Sequence, residues 1–182
     1  MNKLRSLTSI VTGLAIAFGS AAISPSASLA GNATFFCAVS RGTPATYART
    51  ARGNVKIISW ASNVFGSTYS PLQRCVEVSR RFQRNYDNGN LRTIKTGFIR
   101  GYPVVCAART QDSPCSDRTL LFTLNRGSNA NLVARRLLDR NGLAAGAVIY
   151  ESSCEEDCAL SVSVDTFLEN ATTSEEDVSP VE

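Results

Sequence analysis

Between residues 34 and 61 the apolar positions fall into three short runs, Thr34 to Val39, Ala45 to Ala51 and Val55 to Ala61. Arg41-Gly42 and Arg52-Gly53-Asn54 fill the gaps, so the pattern predicts a meander of antiparallel strands. In the third run Val55, Ile57 and Ser59 alternate with Lys56, Ile58 and Trp60. Both sets are largely apolar, which predicts burial on both faces.

The period then changes from two to about 3.6. Leu72, Cys75, Val76, Ser79, Phe82 and Tyr86 recur at helical spacing, with Arg74, Arg80, Arg81 and Arg84 off that stripe. Ser70 is placed to cap the helix, Pro71 suits its first position, and Asn88-Gly89 stops it. Glu77 is within reach of Arg80 or Arg81 on the same helix.

Strand-like runs follow at Leu91 to Ile99, Tyr102 to Ala108 and Thr119 to Leu124, with Arg100-Gly101 as a hairpin turn. A second helix is predicted from Ser128 to Arg140, with Leu132, Val133, Leu137 and Leu138 apolar and Asn141-Gly142 as its stop. A last short strand is expected at Ala144 to Tyr150. The predicted fold class is α+β: an antiparallel sheet of about six strands, covered on one face by two helices.

Domain organisation follows from the ends. Lys3 and Arg5, an apolar stretch from Ile10 to Ala22, and Ser28-Leu29-Ala30 read as an export signal, with a mature chain from Gly31. Residues 1–30 are thus assigned to a signal peptide, 31–150 to one folded domain and 151–182 to an acidic, largely disordered tail. Ala159 to Leu168 is the one apolar stretch in that tail.

Export changes the reading of the six cysteines, Cys37, Cys75, Cys106, Cys115, Cys154 and Cys158. Outside the cytoplasm they are expected to form disulfides. Six cysteines allow fifteen pairings and sequence alone selects none. Cys106 and Cys115 flank a polar loop and suit a local bridge. Cys37 with Cys75 would tie helix to sheet, and Cys154 with Cys158 would close a small loop. A metal or redox role for the last two is disfavoured, because neighbouring carboxylates oppose thiolate formation and a soft-metal site needs more ligands. Calcium is likewise disfavoured, since Glu151, Glu155, Glu156 and Asp157 lack the spacing and glycine of an EF-hand loop. No cofactor is called for.

Charge is distributed unevenly. From Gly31 to Tyr150 there are 17 basic residues, 15 of them Arg, against five acidic, leaving +12. From Glu151 to Glu182 there are ten acidic residues and no basic one. Such a body calls for an anionic partner, or for the tail as its counter-ion. Arginine in place of lysine favours planar anions such as carboxylate, sulfate and phosphate.

The residues also carry a resemblance. Phe36-Cys37, Ile58-Ser59-Trp60, Ser70-Pro71-Leu72-Gln73-Arg74-Cys75-Val76-Glu77-Val78-Ser79 and Phe82-Gln83 are similar to the cyanobacterial circadian oscillating polypeptide family. So are Asn88-Gly89-Asn90-Leu91, Thr96-Gly97, Pro103-Val104-Val105-Cys106, Cys115 and Leu120-Leu121-Phe122-Thr123-Leu124. The match covers roughly Thr34 to Tyr150. It implies an exported cyanobacterial protein, compatible with peripheral membrane association, and it carries over no enzymatic activity. Cys154, Cys158 and the acidic tail lie outside it.

Catalytic chemistry finds little support. The chain has no histidine, no Gly-x-Ser-x-Gly elbow and no phosphate-binding glycine pattern, and its body has five carboxylates for any acid–base pair. The aromatics Trp60, Phe65, Tyr69, Phe82, Phe98 and Tyr102 are assigned mostly to the core. Tyr47, Tyr69, Tyr86 and Tyr102 are the ones that would otherwise line an arginine-rich surface. The expected function is a non-enzymatic exported module using Arg74, Arg80, Arg81, Arg84, Arg135, Arg136 and Arg140. Its partner would be an anionic lipid or polysaccharide surface, or an acidic protein. Nucleic acid is excluded by the exported location, and no transmembrane helix is expected in the mature chain. The expected location is periplasm, cell surface or thylakoid lumen. Two alternatives stand beside it: a structural or interaction subunit of an extracytoplasmic complex, and an enzyme of unrecognised type. The tail is further expected to fold back on the basic helices and compete with the partner.

Overall fold

The computed structural model describes residues 32–61, 69–138, 148–149, 160–174 and 178–181. The N-terminal meander forms as predicted: β1 (Thr34–Ser40), β2 (Thr43–Thr50) and β3 (Gly53–Ser59) make a three-stranded antiparallel sheet in that order. The two-residue loop Arg41-Gly42 joins β1 to β2 with both residues at positive φ, 49° and 76°. That turn matches the right-handed twist of the strands it connects. Arg100-Gly101 repeats the device, at 52° and 75°, between β4 (Thr93–Ile99) and β5 (Tyr102–Ala108).

The first helix, α1 (Pro71–Asp87), starts as its punctuation dictates. The Ser70 hydroxyl accepts from Gln73 N at 3.2 Å, and the Gln73 side chain accepts from Ser70 N at 2.9 Å, closing a capping box. Its buried stripe is Cys75, Val78, Ser79, Phe82 and Asn85, rotated slightly from the predicted one. Leu72 is 38% exposed and faces elsewhere.

The expected single sheet under two helices is refined into two sheets. β6 (Leu120–Thr123) pairs with β5, and the second sheet runs β6-β5-β4-β8-β7, with β7 at Val148–Ile149 and β8 at Ser161–Ser163. Helix α1 packs on β1 and β2, whereas α2 (Ala130–Leu137) packs on β4, β5 and β3. Each helix thus lies mainly on one sheet, while α1 also meets β6 of the second and α2 meets β3 of the first. Helix α2 is shorter than predicted: Asn129, whose side chain accepts from Leu132 N at 3.0 Å, caps it. It ends because Leu138 turns extended and bridges to Ile58 on the edge of β3. One hydrophobic cluster runs through both sheets, from Phe35, Ile57 and Trp60 to Val105, Leu121 and Phe122. Trp60 meets Phe122 edge-on, with ring centroids 5.6 Å apart.

Regular, buried structure also occurs past Tyr150. Leu160, Val162, Val164, Phe167, Leu168 and Ala171 are all buried, as part of β8 and of a third helix, α3 (Val164–Asn170). Apolar side chains on a stretch flanked by charge gain more by filling this core than the carboxylates lose. Strand β8 inserts between β4 and β7, and Leu160 N donates both to Thr96 Oγ1 and to Asn131 Oδ1 at 2.9 Å. Arg52, in the β2–β3 turn, donates to the carbonyls of Leu168 (2.9 Å), Glu169 and Ala171 (3.5 Å), at the end of α3 where carbonyls lack intrahelical donors. Asp165 lies 3.5 Å from Arg92. Residues 151–159, with Cys154 and Cys158, and residues 139–147, with Arg140, lie outside the described residues, as does the stretch 1–30 read as an export signal.

Described residues nearer the C-terminus touch the three-stranded sheet at separate places. Thr173 bridges to Val55 and Ser174 N donates to Asn54 O at 2.7 Å, along the β3 edge. Val178 is buried against Phe36, Ala38, Ala45 and Tyr47, on the sheet face opposite α1. Val181 N donates to Cys37 O at 2.8 Å, on the β1 edge. Thr173 and Ser174 thus meet the β3 edge, Val178 the outer face and Val181 the β1 edge. Covered edges cannot template pairing with another chain.

Among the described residues two disulfides are formed: Cys37–Cys75, with Cα atoms 5.5 Å apart, and Cys106–Cys115, 5.7 Å apart. These are two of the three pairings that suited the sequence; the third, Cys154 with Cys158, lies outside the described residues. The first fastens α1 to β1, and the second fastens the β5–β6 connection against Gly97 of β4.

Candidate functional site: an arginine-rimmed groove

A groove of about 980 Å³ opens between α1, the end of β6 and the chain at Val181. Helical spacing explains its first wall. Leu72, Val76 and Arg80 form one i, i+4 row, and Gln73, Glu77 and Arg81 the next, both beside the buried stripe. The second wall is Phe122, Thr123 and Leu124 with the turn residues Asn125 and Arg126. Leu124 N donates to Pro103 O at 2.9 Å, which holds that turn beside Tyr102 of β5. Tyr69 stands at the head of α1.

The floor is apolar and the rim cationic. Arg74, Arg80, Arg81 and Arg126 meet a single carboxylate, Glu77. That carboxylate is spoken for: Arg81 Nε donates to Glu77 Oε1 at 2.9 Å while Arg81 Nη1 donates to Leu121 O at 3.2 Å. Arg81 therefore braces α1 against β6. Arg74 Nη2 donates to Tyr69 O at 3.1 Å, and burial holds its guanidinium below its ordinary pKa without discharging it at neutral pH. Arg126 lies 4.3 Å over the Tyr102 ring, a cation–π stack that leaves the fork of the guanidinium at the groove mouth. Arg80 and Arg126 are exposed, and Tyr69 and Tyr102 remain 62% and 39% exposed beside them.

The structure thus gathers three of the seven arginines singled out from sequence. Arg84 lies one turn beyond the groove, and Arg135 and Arg136 sit on α2, which packs on other strands. Arg126 joins the site unannounced by sequence, because only the β5–β6 pairing carries it to Tyr102. Of the four tyrosines weighed for such a surface, Tyr69 and Tyr102 line the groove. Tyr47 is buried, and Tyr86 is half-buried with its hydroxyl accepting from Ala33 N at 3.1 Å. Phe98, assigned to the core, is 71% exposed.

Among the described residues there is no group of three or more His, Cys, Asp or Glu placed to hold a metal, and no helix long and apolar enough to cross a membrane. Fold and groove together define a disulfide-stapled α+β domain of two antiparallel sheets with an amphiphilic cationic groove. The family model of circadian oscillating protein COP23 matches residues 34–169, three-quarters of the chain. The protein belongs to that family. The match reaches past Tyr150 to take in β8 and α3, as well as Cys154 and Cys158, which extends the resemblance read from sequence. No curated protein and no solved structure matches the chain.

Proposed function

We propose that this protein is an exported, non-enzymatic binding module whose groove between α1 and β6 holds anionic groups through Arg80 and Arg126. One observation carries the reading: four arginines and one engaged carboxylate surround an apolar floor. Pairing exposed guanidinium forks with phosphate, sulfate or carboxylate relieves the repulsion among them, and the flanking tyrosines add contact area. The absence of histidine from the chain, and the engagement of Glu77, leave the groove poor in acid–base groups. The export signal and the two disulfides support an extracytoplasmic setting, at a membrane or in an aqueous compartment.

The test is retention of the mature chain on anionic lipid vesicles and on a sulfated polysaccharide across a salt series. Wild type is expected to be held at low salt and released as salt rises, and Arg80→Gln with Arg126→Gln to be released much earlier. Equal retention of the double variant on both supports refutes the site. A second reading, a subunit of an extracytoplasmic complex, is favoured by the exposed aromatic surface of Tyr69, Tyr102 and Phe98. It predicts no retention on either support and one stoichiometric partner in a native pull-down.

A further inference from the structure

A C-terminal strap, residues 178–181, reaches the groove just described. Val181 lines it and packs against the main core, while its backbone N–H donates to Cys37 O on the outer edge of β1. Strand β1 is the edge of its sheet, so this hydrogen bond adds a short stretch of chain to the edge in the manner of strand addition. The surrounding sequence is acidic: Glu175, Glu176 and Asp177 precede it and Glu182 follows. An aliphatic side chain on an apolar floor, backbone on a strand edge, carboxylates in sequence on either side and arginines on the facing rim together describe a bound peptide.

We infer that the strap is a built-in stand-in for the partner, and that the partner is an extended acidic segment of another protein carrying an aliphatic residue. Such a segment displaces residues 178–181, pairs with β1 at Cys37, seats its aliphatic side chain where Val181 lies and sets its carboxylates against Arg80 and Arg126. This rests on the reading of the groove as an anion site and narrows the anion to a peptide carboxylate. It also redraws the expected competition by the tail. The competing element is a few residues at the β1 edge, whereas residues 160–171 belong to the core and cannot be removed without unfolding it.

The test uses the full mature chain and a fluorescent peptide of residues 172–182 as the probe. Val181→Gly loosens the strap at a half-buried position while leaving Val178 in place. The variant is expected to bind the probe about tenfold more tightly than wild type, about 1.4 kcal/mol. Adding Arg80→Gln to it should reverse that gain. Hydrogen exchange on wild type supplies a readout that needs no variant: saturating probe should abolish the protection of the Val181 amide. Equal affinity of wild type and Val181→Gly, indifference to Arg80, or an unchanged Val181 amide each overturns the inference. A tail-exchanged dimer of Val181→Gly, seen by light scattering, overturns it too, since the occupant is then a second copy. The same proteins run on the sulfated polysaccharide separate the two claims. Salt-labile, Arg80-dependent retention without peptide binding sinks the peptide assignment alone, and loss of both sinks the groove as well.

Discussion

Removing the Cys37–Cys75 bridge is the sharpest test of how this fold is held. The bridge closes a loop across 38 residues of sequence, from β1 through the whole meander to α1. By the chain-entropy relation, opening it returns about 13 cal/mol/K to the unfolded chain, or about 4 kcal/mol at 25 °C. The Cys106–Cys115 bridge spans nine residues, and the same relation gives about 2.6 kcal/mol. Cys37 is 4% exposed and Cys75 is 0% exposed, so alanines in their place also leave unfilled volume, which adds to the first figure. Urea denaturation of the oxidised Cys37→Ala/Cys75→Ala and Cys106→Ala/Cys115→Ala proteins measures both. The first pair is expected to lose more, by at least about 1 kcal/mol, at an m-value that rises as the unbridged unfolded chain exposes more surface. A reversed order, or a first-pair loss below about 1 kcal/mol, would refute the claim that the bridge acts by constraining the unfolded meander.

Three further outcomes follow from single contacts. Gly97→Ala places a Cβ 2.8 Å from Cys115 Sγ, so it should cost about 1–3 kcal/mol and lower the oxidised fraction of Cys106–Cys115 in a mass-spectrometric map. Thr46→Val removes the hydroxyl that accepts from Trp60 Nε1 and Ser79 Oγ, both at 3.0 Å; with all three residues buried, a loss of about 1–3 kcal/mol in denaturation is expected. Arg52→Ala leaves the end of α3 without its guanidinium and should cost about 1 kcal/mol, with faster hydrogen exchange at Ala171 and Ser174 and no change within β5.

Sequence by itself determined whatever depends on near neighbours. Ser70, Pro71 and Gln73 cap α1 through contacts three residues apart, and Arg-Gly pairs supply positive φ at two hairpins. The α+β class was legible for the same reason, whereas the two described disulfides were among the pairings that suited the sequence without being selected by it. Only the tertiary structure decided the rest. Helical periodicity says that two rows of α1 are apolar, but not that Cys75, Val78 and Phe82 meet the sheet while Leu72 and Val76 floor a groove. Seven arginines on two helices read as one surface in sequence, yet α1 lies mainly on the first sheet and α2 mainly on the second; of the described ones Arg74, Arg80 and Arg81 line the site, and Arg126 joins them. The acidic flanks of residues 160–171 masked their role, because charge along a chain is local whereas the gap between β4 and β7 that they fill exists only after distant strands have paired. Long-range pairing is a property of the whole chain's packing, and no window of neighbouring residues contains it.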